Sequence, residues 1–252
     1  MRHFFIKSSE MDGLEAGGAL EIRGPDVKHI VSVLRKRPGD VLVLCPEEGG
    51  GREAVAQIGT VFDDSLRLEI LEMRDNSTEP IVKVTLIQGI IKGERMDTAV
   101  QKAVELGAAA IKPVITEHTV VRLDGADAGK KRLRWSKIAE EAAKQCGRGA
   151  VPEVAVPRPL KEVLAEPQDG ELRLIAYENE RDNSLKAELQ ALKGAIPQKI
   201  CVLIGPEGGL SPEEVKQAAA NGYRPVTLGP RTLRAETAGP AVLAAIHCFF
   251  ED

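Results

Sequence analysis

Ile200-Cys201-Val202-Leu203-Ile204-Gly205-Pro206-Glu207-Gly208-Gly209-Leu210-Ser211-Pro212-Glu213-Glu214 joins a strand to a helix through a glycine loop. Its first five residues are an apolar run that reads as a strand, Lys199–Ile204. A tight glycine turn follows. Ser211 then stands as an N-cap, Pro212 at the first helical position and Glu214 three residues after the cap, which together make a capping box. Strand, glycine loop and helix start are the repeating unit of a parallel α/β sheet. Such sheets bind ligands beyond the carboxyl ends of their strands. Three glycines allow the backbone to approach a ligand closely. The loop lacks the Gly-Lys-Ser/Thr ending of a P-loop and is not GxGxxG. Taken alone, it also fits an ordinary strand-to-helix turn.

A second strand end lies about 20 residues on. Val226-Thr227-Leu228-Gly229 runs into Pro230-Arg231-Thr232-Leu233-Arg234-Ala235-Glu236-Thr237-Ala238, and a helix rich in Ala, Val, Leu and Ile closes the chain. Two arginines, a glutamate and a threonine at the mouth of a sheet exceed what solubility requires. The simpler reading is a solvated helix start, with Glu236 at the favourable end of the helix dipole.

Working outward, the alternation continues upstream. Val82–Ile91 reads as a strand. Met96, Ala99, Val100, Ala103 and Val104 recur at helical spacing, and Gly107 ends that helix. Ile111–Ile115 is a strand, followed by a long helix with Trp135, Ile138, Ala139, Ala142, Ala143 and Cys146 on one face. Leu172–Tyr177 and Pro225–Leu228 are further strands. The result is a mostly parallel sheet with helices on both faces. Asp75-Asn76-Ser77-Thr78-Glu79-Pro80 has no apolar residue and reads as a linker over 75–80. Before it, short strands (Ala19–Ile22, Val41–Leu44, Ala54–Ile58, Leu66–Leu71) alternate with turn signals, among them Pro38-Gly39-Asp40 and Glu48-Gly49-Gly50-Gly51, and one helix covers Pro25–Val33. Residues 1–74 therefore read as a small β-barrel and 81–252 as the α/β domain.

Composition sets limits. The chain has 252 residues, 43% hydrophobic and 29% charged, with a formal net charge of −4. That profile excludes whole-surface attraction to nucleic acid, so any RNA contact needs local basic patches. No apolar run reaches the ~20 residues of a membrane span, and the first residues lack the features of a secretory signal. The four cysteines, Cys45, Cys146, Cys201 and Cys248, form no close pairs and read as reduced, buried thiols of a cytoplasmic protein. The four histidines show no paired spacing, so no metal site is expected.

The two C-terminal loops, "IGPEGGLSPEE" and "LGPRTLRAETA", resemble the signature of the RsmE family of 16S rRNA uridine-N3 methyltransferases, within the SPOUT superfamily. "KGERMDTAVQKAVELGAAAIKPV" (92–114) is similar to the family's first strand-helix-strand unit, and "KIAEEAAKQCGRGAVPEV" (137–154) to its Gln-x-x-Arg segment, here Gln145 and Arg148. "MRHFFI" and "HIVSVLRKRPGD" (29–40) resemble its PUA-like barrel. These segments, in order, span nearly the whole chain. Two positions depart from the pattern. Thr232 stands where an aliphatic residue is usual, and His118, within 117–122, where arginine is frequent.

The resemblance implies a SPOUT-type parallel sheet with a C-terminal trefoil knot, against the general rule that chains do not knot. It implies a homodimer acting on 16S rRNA, within the small ribosomal subunit, with S-adenosyl-L-methionine (SAM) held bent between loops 205–209 and 228–237. On this chain the cofactor residues would be Leu203, Ile204, Gly205, Pro206, Glu207, Gly208, Gly209, Leu228, Gly229, Leu233, Arg234, Thr237 and Ala238. Because N3 of uracil must lose a proton before it attacks, Arg231 and Arg234 are candidates to stabilise the uracilate, and Glu236 to orient an arginine or act as base. RNA contacts are expected from Arg2, Arg35, Lys36, Arg37, Lys92, Arg95 and Arg148, and from the basic run 130–148, each also readable as a solvated charged face. Two other functions fit the same fold: methylation of a different RNA, and RNA binding in ribosome assembly without catalysis.

Overall fold

The computed structural model describes residues 2–47, 49, 51–121, 125–166, 171–192 and 194–251. Glu48 and Gly50 of the expected turn, and Arg122 of the 117–122 segment, lie outside the described residues. The chain divides into two compact units: Met1–Glu79 with Ala143–Val151, and Pro80–Ala142 with Pro152–Asp252.

The first unit is built on β1 (His3–Ile6), α1 (Ser8–Met11), β2 (Ala19–Arg23), α2 (Pro25–Lys28), β3 (Val41–Pro46), β4 (Arg52–Val61) and β5 (Ser65–Asp75). Its sheet runs β1-β3-β4-β5-β2, antiparallel except for the parallel β1–β3 pair. Alternation decides which face is covered: Leu42 and Leu44, Ala54, Ala56 and Ile58, and Leu66, Leu68 and Ile70 all point into one core. Register shifts at Val55/Ala56 and Ile58/Thr60 bend β4 against β5, which curls the sheet into a half-barrel. The helix expected over Pro25–Val33 begins as α2 and continues as a π-helical turn, His29–Val33. Arg35, just after it, is the one non-glycine residue with positive φ (+54°) among the described residues.

Residues 143–151 belong to this unit through buried charge pairs. Lys144 Nζ bonds the Asp26 carboxylate at 2.9 Å. Arg148 Nε donates to Glu79 Oε1 at 3.1 Å, and the same oxygen accepts the N–H groups of Gly149 (3.0 Å) and Ala150 (3.2 Å). His3 Nδ1 donates to the Arg148 carbonyl at 3.0 Å. Arg148 and Lys144 are therefore buried, 5% and 3% exposed. This corrects the expectation that Arg148 and the whole run 130–148 offer cations to RNA: these two charges are neutralised inside the fold.

The second unit contains β6 (Lys83–Gly89), α3 (Glu94–Glu105), β7 (Ala108–Ile115), α4 (Gly125–Cys146, its last turn counted with the first unit), β8 (Glu153–Val154), β9 (Arg158–Pro159), α5 (Leu160–Leu164), β10 (Glu171–Ala176), α6 (Leu185–Ala191), β11 (Lys199–Ile204), α7 (Pro212–Ala220), β12 (Arg224–Val226) and α8 (Ala235–Phe250). All strands are parallel, in the order β12-β10-β11-β6-β7-β8, with β9 also pairing β7. The helical spacing of α3 buries the five residues it marks, Met96, Ala99, Val100, Ala103 and Val104. The capping box at α7 forms as read: Ser211 Oγ accepts the Glu214 N–H, and Glu214 Oε2 accepts the Ser211 N–H at 3.0 Å. Cys45 and Cys201 are buried, but Cys146 and Cys248 are exposed, which corrects the expectation of four buried thiols. Both lie in the last turns of helices, Cys248 on the exposed face of α8 beside the buried Ile246 and His247. Among the described residues no helix is long and apolar enough to cross a membrane.

Replacing Glu79 would leave the Arg148 guanidinium buried and uncompensated. Breaking a fully buried pair costs about 3–5 kcal/mol, and because Glu79 is about a third exposed the expected loss for Glu79→Ala is roughly 2–3 kcal/mol. The check is a lower denaturant midpoint for Glu79→Ala, with a change under about 0.5 kcal/mol overturning this account.

Candidate active site

Three strand ends meet at one level. Parallel register sets Ala176 of β10 beside Ile204 of β11 on one side and Val226 of β12 on the other. The loops that follow enclose a cavity of about 430 Å³, lined by Ala176–Glu178 and Arg181 after β10, Ile204–Gly209 after β11, Thr227–Gly229 and Arg231–Glu236 after β12, together with Arg95 and Ala238.

Each loop is held by specific acceptors. After β10, the Glu180 carboxylate accepts the N–H groups of Arg181 (3.0 Å), Asp182 (2.8 Å) and Asn183 (3.0 Å). These amides, Asn183 first, hold the Glu180 carboxyl below the usual carboxylate range. The same loop then zips along the next one: Thr227 N–H donates to Asn183 O at 2.8 Å and Asn183 Nδ2 to Pro225 O at 2.9 Å. After β11, Glu207 Oε1 accepts from Lys92 N–H at 2.9 Å and from Arg95. Gly209 N–H closes a turn onto Pro206 O at 3.0 Å. Two glycines here are obligatory. Gly209 sits at φ +68°, where a side chain is strained and would run into the Glu178 carboxylate. A Cβ on Gly205 would come 2.9 Å from the Gly209 carbonyl carbon.

The charged groups around the cavity are unequally committed. Arg95 pairs with Glu207. Arg231 and Arg234 are exposed and form no ion pair among the described residues. Glu236, in the first turn of α8, keeps Oε2 buried with no hydrogen-bond partner among the described residues. A buried carboxylate oxygen without a donor is costly, so it marks a place where a ligand's donor or cation would be favoured.

The structure gathers most of the residues singled out from sequence: Ile204, Gly205, Pro206, Glu207, Gly208, Gly209, Leu228, Gly229, Arg231, Leu233, Arg234, Glu236 and Ala238 all line the cavity. Leu203 does not. It is fully buried in the core beside Ile87 and Ile175. Thr237 is exposed on α8 and is not part of the lining. Arg95, read from sequence as an RNA contact, faces this cavity instead. Tyr177, Glu178 and Arg181 were missed, because only their position after a strand end marks them. Arg35 and Arg37 are exposed on the first unit, Lys36 reaches Asp40 at 3.8 Å, and Lys92 is exposed. Arg2 is partly buried.

Among the described residues one set of side chains is close enough to share an ion: His3, Cys45 and Glu53, all buried in the first unit. Its groups are already engaged. Glu53 accepts from Arg74 Nε at 2.7 Å and from Asn76, and burial, with Glu53 and Glu79 nearby, pushes the Cys45 thiol up to about 12. The set is a closed polar network around a protonated thiol, not a cradle of free ligand atoms.

Residues 77–247 match the family model of an RNA methyltransferase domain, and 22–71 that of an RNA methyltransferase PUA domain. The ribosomal RNA small subunit methyltransferase E of Bacillus subtilis is 34% identical over 248 residues, covering 98% of this chain and 96% of that protein. The crystal structure of the enzyme of that name from Neisseria gonorrhoeae, bound to S-adenosyl methionine, is similar with a TM-score of 0.82 and 35% identity, over 98% of this chain and 96% of the other. A methyltransferase of Legionella pneumophila, in complex with SAM, matches with a TM-score of 0.82 and 32% identity over the same shares, 98% and 96%.

The Glu180 anchor has a pH signature. Its folded carboxyl titrates below the unfolded one, so its contribution is present above the ordinary carboxylate range and is lost as pH falls through the lowered value. The Asp182 and Asn183 amide resonances should move together in one acid step below that range. Glu180→Gln should abolish the step, and its survival in that variant would contradict the assignment.

Proposed function

Because this chain belongs to the ribosomal RNA small subunit methyltransferase E family, we propose that it methylates N3 of a uridine in 16S rRNA, with SAM as methyl donor. It is a SAM-dependent rRNA methyltransferase; the atom and nucleotide are the finer part of the proposal. The observation that carries the reading is the cavity at three parallel strand ends, lined by the glycine loop 205–209 and by Arg231 and Arg234, which form no ion pair among the described residues.

The cavity suits the cofactor. Its volume lies in the small-ligand range. Leu228 and Leu233 offer apolar walls, and the peptide groups of 205–209 offer donors and acceptors at close approach. Glu178, Glu207 and Glu236 line it, and carboxylates favour a sulfonium cation. SAM, when bound, supplies an electrophilic methyl group. The chain's own residues must then prepare the uridine. N3 attacks only once its proton has left, and Glu236, with a carboxylate oxygen lacking a donor among the described residues, accepts that proton or orients an arginine. Arg231 and Arg234 stabilise negative charge on the uracil oxygens or hold a neighbouring phosphate. N3 lies on the pairing edge, so the base is unpaired or flipped out when it enters. Arg35, Lys36 and Arg37, with Arg2 and Lys92, serve the RNA backbone. In this reading residues 1–74 form the RNA-binding PUA-like domain, 75–80 the linker and 81–252 the catalytic domain. The C-terminal segment threads through a loop as a trefoil knot, and loops 205–209 and 228–237 hold SAM in a bent form. Two copies form a homodimer with the RNA site across them, and the enzyme works in the cytoplasm on the small ribosomal subunit.

Primer extension tests the target, because N3 methylation blocks pairing. In rRNA from a deletion strain one stop at a uridine in 16S rRNA should vanish, and unchanged stops at every uridine refute the assignment. For the site, Glu236→Gln and Arg234→Ala should each lower kcat by about 10²-fold or more with SAM still bound. Near-normal turnover in both removes them from the mechanism. Charge reversal across Arg35–Arg37 should raise KM for RNA and flatten its salt dependence, leaving SAM affinity unchanged.

A further inference from the structure

The glycine loop of the cofactor cavity is gripped on the flank away from the cavity. The chain leaving β7 makes a tight turn, in which Thr116 N–H donates to Thr119 Oγ1 at 2.9 Å and Thr119 N–H to Thr116 O at 3.1 Å. This turn presents two groups to the loop. The Glu117 N–H donates to Glu214 Oε1 at 2.8 Å, while the other oxygen of Glu214 serves the capping box of α7. His118 Nδ1 lies 2.8 Å from the Gly208 carbonyl oxygen and 3.3 Å from that of Gly209. Carbonyl oxygens only accept, so Nδ1 carries the proton and the imidazole is the donor to both.

Close packing accompanies the hydrogen bond. A Cβ on Gly208 would meet the His118 Cβ at 2.9 Å, so this glycine is what lets the ring reach the backbone. On the cavity flank, Gly209 lies against the Glu178 carboxylate. The loop is thus held between two side chains, one lining the cavity and one outside it. A trans peptide is planar, so aiming the Gly208 carbonyl at His118 turns the Gly209 N–H the other way. That N–H closes the turn onto Pro206 O at 3.0 Å, and this turn is the wall of the cavity.

We propose that His118 is a positioning residue for cofactor binding: its Nδ1–H fixes the Gly208 and Gly209 peptide planes, and through them the shape of the wall that SAM contacts. It does not line the cavity itself, so its effect passes through the loop. The proposal rests on the assignment of this cavity to SAM. Asparagine provides the discriminating variant. Its Nδ2, like Nδ1 of histidine, is two bonds from Cβ, so His118→Asn keeps the donor in place, whereas His118→Ala removes it and His118→Gln moves it one bond further out.

The experiment is calorimetric titration of the full-length chain and its variants with SAM, alongside KM for both substrates, kcat and thermal unfolding. Loss of one such bond corresponds to about a three- to tenfold change in an equilibrium. His118→Ala and His118→Gln should weaken SAM binding and raise its KM by that factor, with kcat at saturation, KM for RNA and Tm little changed. His118→Asn should stay within about twofold of the parent. Parental SAM affinity in His118→Ala overturns the proposal. So does a raised KM for RNA with SAM affinity intact, which would make His118 an RNA contact. A parent chain that does not bind SAM overturns the cavity assignment and this proposal together.

Discussion

Parallel pairing forces strands that share a direction to release their carboxyl ends on the same side. In this sheet the register of β10 with β11 and β12 sets Ala176, Ile204 and Val226 level, so three loops leave the sheet within reach of each other. Everything at the site follows from that constraint. Residues separated by some fifty positions in the chain, such as Glu178 and Arg231, become neighbours on one cavity without any dedicated element to carry them.

Loops of this kind lose much conformational entropy when ordered, and the fold offsets it with one recurring device. A carboxylate or carbonyl close in space collects backbone N–H groups. Glu180 takes three, Glu207 takes Lys92 together with the Arg95 guanidinium, and Glu214 takes Ser211 and, through its other oxygen, Glu117. Each such bond contributes only about 0.5–1.5 kcal/mol, but several act on a few residues, so the backbone is set before a ligand arrives. Among the described residues Arg231 and Arg234 form no ion pair and Glu236 Oε2 has no hydrogen-bond partner, and all three side chains line the cavity. Structural carboxylates saturated by amides and a cavity carboxylate without a donor are different uses of one side chain, and the hydrogen-bond inventory separates them.

Much of this arrangement was legible in the chain because its signals are local. The apolar run 200–204, the Ser211 capping box and the helical spacing of 96–104 depend on nearest neighbours, and each appears where the pattern puts it. What escaped depends on distant partners. Strand β1 is four residues, all buried, with no alternation to announce it, and it exists because β3 is there to pair with. The π-helical turn after α2 leaves no trace in spacing. Arg148 and Lys144 read as surface charges until Glu79 and Asp26 come into view. Tyr177, Glu178 and Arg181 carry no motif and gain meaning from the register of the strand before them. Leu203 shows the same limit within a recognised motif, since the segment can be identified while the facing of each side chain awaits the sheet.

The distribution of charge explains how an acidic protein can act on RNA. The formal net charge is −4, so the long-range field does not favour a polyanion. Many of its cations are also spent. Arg134 binds Asp97, Lys112 and Arg158 share Glu166, and Lys144 and Arg148 are buried with Asp26 and Glu79. A cation in a buried pair cannot turn to a phosphate without stranding its partner, which costs more than one phosphate contact returns. Exposed arginines therefore matter more than the total, and Arg231 and Arg234, which form no ion pair among the described residues, line the cavity.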